Sequence, residues 1–135
     1  MAFIEWDDSF SVNVLEIDGQ HLKLVEMLNE IHEAMQEGKG ASVAGRIVNE
    51  MIEYAQSHFA TEENYFEKFK YPKAKEHTQE HLEFVKRVSA MKQDAKAGKH
   101  GLSIEVMHFL KDWLLNHIIG SDKQYSSFFN EHGLK

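Results

Sequence analysis

Seven residues of metal-ligand type stand at spacings that let them act together: His21, His58, Glu62, His77, His81, His117 and Asp122. Four of them form two pairs at i,i+4, His58 with Glu62 and His77 with His81. A helix puts residues four apart on one face, with Cβ atoms ~5–6 Å apart. Each pair can therefore grip one ion, or one ion and its neighbour. Five imidazoles and two carboxylates exceed the four ligands of a structural zinc site. The set fits two metals that share carboxylate bridges. Cysteine is absent, which removes disulfides and thiolate coordination and leaves nitrogen and oxygen ligands.

Such a set needs rigid elements on several sides, and the sequence supplies them. Residues 1–17 read as an irregular arm whose Phe3, Trp6 and Phe10 lie over a bundle edge. Asp18 is the expected N-cap of a first helix over about 19–37, which stops at Gly38-Lys39-Gly40. A second helix spans about 42–69 and closes at Tyr71-Pro72. The proline can open a third over about 73–97. The loop Gly98-Lys99-His100-Gly101 leads to a fourth over about 103–119, with a short helical tail at 122–131. Apolar residues recur at helical spacing in each segment. They are Leu24, Leu28, Ile31 and Met35; Ile47, Met51, Ala55, Phe59, Phe66 and Phe69; Leu82, Val85, Val88 and Met91; and Val106, Leu110, Trp113 and Leu114. Short loops between long helices favour antiparallel neighbours. The expected fold is all-α, an up-down-up-down antiparallel four-helix bundle with an irregular N-terminal arm, and one domain over 1–135.

The seven residues continue these apolar stripes. His21 precedes Leu24 and Leu28; His58 and Glu62 follow Met51 and Ala55; His77 and His81 lead into Phe84 and Val88; His117 extends Leu110, Trp113 and Leu114. In an antiparallel bundle, positions early in helices one and three share a level with positions late in helices two and four. A metal site at one end of the bundle follows. His117 and Asp122 are five apart, about 140° out of phase at about 100° per residue. Both can face the core only if the helix distorts or ends between them. Gly120 lies in that gap and permits a π-type turn or a break.

The formal net charge of −7, with no basic stripe, argues against nucleic acid and anionic membrane surfaces. No apolar run approaches the ~18 residues of a transmembrane helix. The first residues show neither a basic n-region nor an apolar h-region. The expected location is the cytoplasm. The acidic surface, including Glu62-Glu63 and Glu76, reads as a solvated face in which only Glu62 has ligand spacing. It lacks an evident apolar patch and favours a monomer.

The order His, His-x-x-x-Glu, His-x-x-x-His, His-x-x-x-x-Asp on four helices resembles the hemerythrins. The opening Trp6…Ser11-Val12…Asp18-Gly19-Gln20-His21 resembles their single-domain bacterial members, the bacteriohemerythrins. The resemblance covers nearly the whole chain and fills all seven motif positions. It implies two non-haem iron ions with an oxo/hydroxo bridge that bind O₂ reversibly. His77, His81 and His117 would hold one iron, His21 and His58 the other, and Glu62 and Asp122 would bridge them. Counted against two six-coordinate ions, that set leaves one position open, on the iron with two histidines. Leu24, Phe59, Trp113, Leu114 and Ile118 match apolar pocket positions of the family and would keep that position dry.

Each residue also has a blander reading. A lone histidine on an apolar face is more often a core residue than a ligand, and only the joint pattern of seven overrides that. His32 follows His21 by eleven residues on the same face, about 16 Å along the axis, and reads as a core or boundary residue. His100, His108 and His132 fall in a loop, on the opposite face and in the tail. The five pocket residues serve equally as core. Among functions, O₂ transport, storage or delivery competes with an O₂ or redox sensor acting with a partner in trans. It also competes with a di-iron oxidase or peroxide-consuming enzyme. Di-iron oxidases in bundles use carboxylate-rich sites with Glu-x-x-His pairs. This set is imidazole-rich, so a carrier rather than an enzyme is expected, handing O₂ to an acceptor not specified by the sequence. Metal storage is disfavoured, because two buried ions hold little per chain.

Overall fold

The computed structural model describes residues 4–38, 40–96 and 102–135. Four long helices carry most of the chain: α1 (Leu15–Gln36), α2 (Gly40–Phe69), α3 (Ala74–Lys96) and α4 (Leu102–Asn116). A π-helical segment, His117–Asp122, joins α4 to the short α5 (Lys123–Glu131). A 3₁₀ turn, Asp8–Phe10, stands in the N-terminal arm. Among the described residues there is no strand. α1 and α3 each pack on both α2 and α4, which closes an antiparallel four-helix ring, and α2 touches α4 across it.

The helix ends follow from local chemistry. Gly38, with φ 77°, ends α1 in the left-handed region, and its N–H donates to the Met35 carbonyl at 3.2 Å. Lys70 ends α2 in the same way at φ 57°. A non-glycine residue there costs roughly 1–2 kcal/mol. The cost is offset nearby, where the Tyr71 N–H donates to the Phe66 carbonyl at 2.9 Å and the two rings stack at 5.0 Å. Pro72 then bars any continuation of α2.

The start of α1 differs from expectation. The helix begins at Leu15, with Val14 at the N-cap position and no side-chain cap. Asp18 lies inside the first turn, and its carboxylate reaches back to the Val12 N–H at 2.8 Å and the Ser11 hydroxyl at 2.6 Å. It ties down the arm instead of capping the helix, and an acid in the first turn also suits the helix dipole. Burial of Val12, Val14 and Ile17 explains the early start, since this stretch packs before Asp18 is reached.

Leu82 is a second departure. It is 59% exposed, not core. The buried stripe of α3 runs His77, His81, Phe84, Val88 and Met91, and Leu82 stands about 100° from His81 around the axis. Met35, Phe69, Val85 and Trp113 are half-buried. Phe10 is buried and stacks on the half-buried Trp6 at 5.4 Å, so the arm does cover the bundle. Phe3, Lys39, the 98–101 loop with His100, and the side chain of Val106 lie outside the described residues.

Among the described residues, two apolar clusters fill the interior. The larger runs through Leu24, Leu28, Met51, Phe59, Phe84, Leu110 and Leu114. The smaller gathers Val12, Ile17, Phe66, Tyr71, Tyr125 and Phe129. The chain crosses from one to the other four times, each time through a polar step: Ile17–His21–Leu24 in α1, Ala55–His58–Glu62–Phe66 in α2, Tyr71–His77–His81–Phe84 from the turn before α3 into α3, and Leu114–His117–Asp122–Tyr125 from α4 to α5. The polar residues form a layer sealed by apolar packing on both sides.

Candidate metal centre

Seven polar or charged side chains are buried among the described residues: His21, His58, Glu62, His77, His81, His117 and Asp122. None is more than 3% exposed. These are the seven that the sequence singles out, and the fold brings all of them together. The i,i+4 pairs on α2 and α3 come from regular helix. His117 and Asp122 do not. The chain between them is π-helical, and the Lys123 N–H bonds the Ile118 carbonyl five residues back. The widened turn lets both side chains face the interior. Gly120 within it is exposed, has no left-handed φ, and has nothing within 4 Å of an added Cβ. The turn is therefore not enforced by glycine sterics. Its carbonyl is taken up by Gln124 Nε2 at 2.8 Å, and the helix runs on without a break.

The ligand-type atoms form two overlapping groups. One holds Glu62, His77, His81, His117 and Asp122; the other holds His21, His58, Glu62 and Asp122. Within each group the atoms lie within 4.8 Å of one another. The two carboxylates belong to both. All five imidazoles turn Nε2 inward. His77 and His117 approach Asp122 Oδ1 at 2.7 and 2.9 Å, and His21 approaches Asp122 Oδ2 at 2.9 Å. His81 and His58 approach Glu62 Oε1 at 3.0 and 3.3 Å.

Most of these inward atoms lack a well-formed hydrogen bond. Nε2 of His21, His77, His81 and His117, Oε1 of Glu62 and both oxygens of Asp122 are buried and make no hydrogen bond. Leaving buried polar atoms unsatisfied costs ~1–3 kcal/mol each, so a cluster of them demands a partner. Imidazole and carboxylate atoms crowded to these distances fit a shared cation. The donor set, imidazole and carboxylate without thiolate, suits a non-haem transition metal.

The electrostatics agree. Burial alone works against ionised Glu62 and Asp122, yet both carboxyls are lowered, Asp122 chiefly by His117 and Glu62 by His58 and His81. Two buried carboxylates call for positive charge beside them. Burial also opposes charging His117, but Asp122 and Glu80 win and raise it to about 10. His58 goes the other way, lowered to about 4 because burial outweighs the pull of Glu62.

Outside this layer lie residues that the sequence reading missed. Gln20 Oε1 faces His58 Nδ1 at 2.6 Å, Glu63 Oε2 faces His81 Nδ1 at 3.1 Å, and Glu80 Oε1 faces His117 Nδ1 at 3.0 Å. Glu63, expected on a solvated face, is 40% exposed and still reaches an imidazole. The hydroxyl of Tyr125 donates to Glu62 Oε2. Tyr125 follows Asp122 by three residues on the helix beyond it, a spacing that could have flagged it. Glu63 and Glu80 carry no such signal, because each serves a histidine on another helix.

Aromatic rings wall the imidazoles. Phe59 stacks on His81 at 3.8 Å and Trp113 on His117 at 4.2 Å. Above them is a cavity of about 10 Å³, bordered by Leu24, Phe59, Trp113 and Leu114 together with Met51, Ala55, Phe84 and Leu110. That is near the least volume that holds one water-sized molecule. Ile118 is fully buried in the same apolar cluster but does not line the cavity. His32 is half-buried and belongs to neither ligand group; His108 and His132 are exposed.

Comparison with known proteins gives a concordant picture. The family profile described as the hemerythrin HHE cation binding domain matches residues 13–128. The chain is 36% identical to a bacteriohemerythrin of Stenotrophomonas maltophilia over 132 residues, which cover 98% of this chain and 85% of that protein. It is 30% identical to a bacteriohemerythrin of Methylococcus capsulatus, over 93% of this chain and 95% of that one. Its fold is similar to a crystal structure of wild-type hemerythrin with a TM-score of 0.85 at 30% identity, covering 93% of this chain and 97% of the other.

Proposed function

Because the chain belongs to the hemerythrin family, we propose that it binds O₂ reversibly at a pair of non-haem iron ions, for transport, storage or delivery. In this reading His77, His81 and His117 hold one iron, and His21 and His58 hold the other. Glu62 and Asp122 serve both, together with a solvent-derived oxo or hydroxo bridge. The iron pair supplies the electrons that make O₂ a ligand. The chain supplies everything else: charge balance from two buried carboxylates, fixed imidazoles, and exclusion of water.

One observation carries the reading. Two groups of buried donor atoms overlap at Glu62 and Asp122, and most of their inward atoms, Nε2 of four of the five histidines among them, have no hydrogen-bond partner. A single cation leaves part of such a set unused, whereas two cations sharing the carboxylates engage it all. Leu24, Phe59, Trp113, Leu114 and Ile118 make the centre's border with the larger apolar cluster dry, which suits a small uncharged ligand. The imidazole-rich donor set supports a carrier over a di-iron oxidase. No helix among the described residues is long and apolar enough to cross a membrane. The reading takes residues 1–135 as one monomeric domain working in the cytoplasm and passing O₂ to a protein acceptor.

The test is metal analysis with optical spectroscopy. Protein loaded with ferrous iron should hold about two irons per chain. Its spectrum should change on exposure to O₂ and return under vacuum. One iron per chain, or a change that vacuum does not reverse, overturns the proposal.

A further inference from the structure

All five imidazoles of the centre turn Nε2 inward, so what holds each Nδ1 decides how the ring is oriented and which nitrogen carries the proton. Three of them have an acceptor there. His81 has the Glu63 carboxylate and His117 has the Glu80 carboxylate. His58 has instead the neutral amide oxygen of Gln20. Two of these acceptors are themselves fixed. Ser121, inside the π-helical turn, donates to Glu80 Oε1 at 2.6 Å. The Gln20 amide nitrogen donates to Thr61 Oγ at 3.3 Å, and Thr61 donates to the Ser57 carbonyl at 3.2 Å. Each acceptor takes a hydrogen from Nδ1 and leaves the Nε2 lone pair for a metal.

The acceptors are not shared out evenly. Both carboxylates stand behind the group of Glu62, His77, His81, His117 and Asp122. The group of His21, His58, Glu62 and Asp122 has only the amide. A carboxylate behind an imidazole raises its strength as a donor, whereas an amide orients the ring without adding charge. Glu63 and Glu80 are 40% and 39% exposed, so solvent screens part of this effect. What survives screening favours the more highly charged ion on the three-histidine side.

We propose that Glu63 and Glu80, set against Gln20, are positioning residues that make the two metal positions chemically unequal, the three-histidine position being the stronger donor site. The inference rests on the two-metal reading above and adds residues outside the ligand set. Ser121 belongs to it, because it couples the π-helical turn to the orientation of His117 through one carboxylate oxygen.

Cobalt(II) tests this without O₂ chemistry, since its visible absorption reports coordination directly. Metal-free protein is titrated with cobalt, and the two equivalents are assigned with the reference variants His77→Ala and His21→Ala. Glu80→Ala and Glu63→Ala should each weaken the three-histidine equivalent about 10- to 100-fold and leave the other unchanged. Gln20→Ala should weaken the two-histidine equivalent instead. Glu80→Gln keeps an acceptor but removes the charge, and should fall between Glu80→Ala and the parent. In iron-loaded protein, Glu80→Gln should shift the midpoint potential upward and Gln20→Glu downward, which loss of packing alone does not do. If Glu80→Ala and Gln20→Ala weaken the same equivalent, or neither, while the parent binds two cobalt ions, the inference falls and the two-metal reading stands. If the parent binds fewer than two, the two-metal reading falls and takes the inference with it.

Discussion

The Tyr125 hydroxyl donates to Oε2 of Glu62, while Oε1 of the same carboxylate faces His58 and His81. Tyr125 is fully buried, and burial with Asp122 and Glu62 nearby raises its phenol well above the ordinary range, so it remains a donor. The smaller apolar cluster thus sends one polar group into the buried polar layer, and that group aims one of its two carboxylates. Tyr125→Phe keeps the ring packing and removes the donor. It should cost about 1–3 kcal/mol in the metal-free protein, because Glu62 Oε2 loses its partner while buried. Chemical denaturation in the presence of chelator reads this, and a change below a few tenths of a kcal/mol would show that the bond contributes nothing.

Glu62→Gln should impair metal binding far more than His32→Ala. Glu62 belongs to both ligand groups, whereas His32 belongs to neither among the described residues. Metal content after reconstitution separates them. Glu62→Gln should retain fewer than two irons per chain, and His32→Ala should retain the parental amount. Equal contents in the two variants would refute the assignment of Glu62.

The buried polar layer was legible because its signals are local. His58 with Glu62 and His77 with His81 are helical pairs, and each continues an apolar stripe. Even the distortion near Gly120 is visible, since a regular helix keeps His117 and Asp122 apart. Asp18 misled because an N-cap acid and a first-turn acid look alike in sequence; only the backbone of Val12 and Ser11 tells them apart. Leu82 misled because an apolar residue near a stripe is not always on it. Gln20, Glu63 and Glu80 were invisible for a different reason. Each acts on a histidine from another helix, and such pairings depend on bundle geometry.

Removal of metal should leave a protein with a narrow pH optimum of stability. His58 is lowered to about 4 in the fold. As pH falls below the ordinary ~6.5 the unfolded chain takes up that proton while the folded chain does not. Its contribution is present above that value and lost between ~6.5 and about 4. Glu80, lowered to about 2 chiefly by its bond with His117, loses its contribution over a more acidic range. His117 has the opposite sign. Raised to about 10, it contributes fully below ~6.5 and loses that contribution as pH rises toward 10. Thermal melts of chelated protein across pH 4–10 should therefore peak near neutrality. A melting temperature that climbs steadily to pH 9 would contradict the acidic environment of His117.

Leu114 stands one residue beyond Trp113 and about one turn before His117, buried at 3% exposure on the wall of the small cavity. Leu114→Ala removes that wall. The loss should cost ~2–5 kcal/mol, since the surrounding aromatics are packed too tightly to refill the space. No ligand is removed, so the bundle should form and take up the same amount of iron. The enlarged cavity has room for water beside the centre. Water there supplies protons and solvates charge that the apolar wall otherwise excludes. The variant should therefore convert to the ferric form faster than the parent in air. Optical decay after stopped-flow oxygenation measures this, with iron content and melting temperature recorded on the same samples. A lower melting temperature with an unchanged oxidation rate would make Leu114 a packing residue only. A faster rate at full iron content identifies it as the barrier between the centre and water.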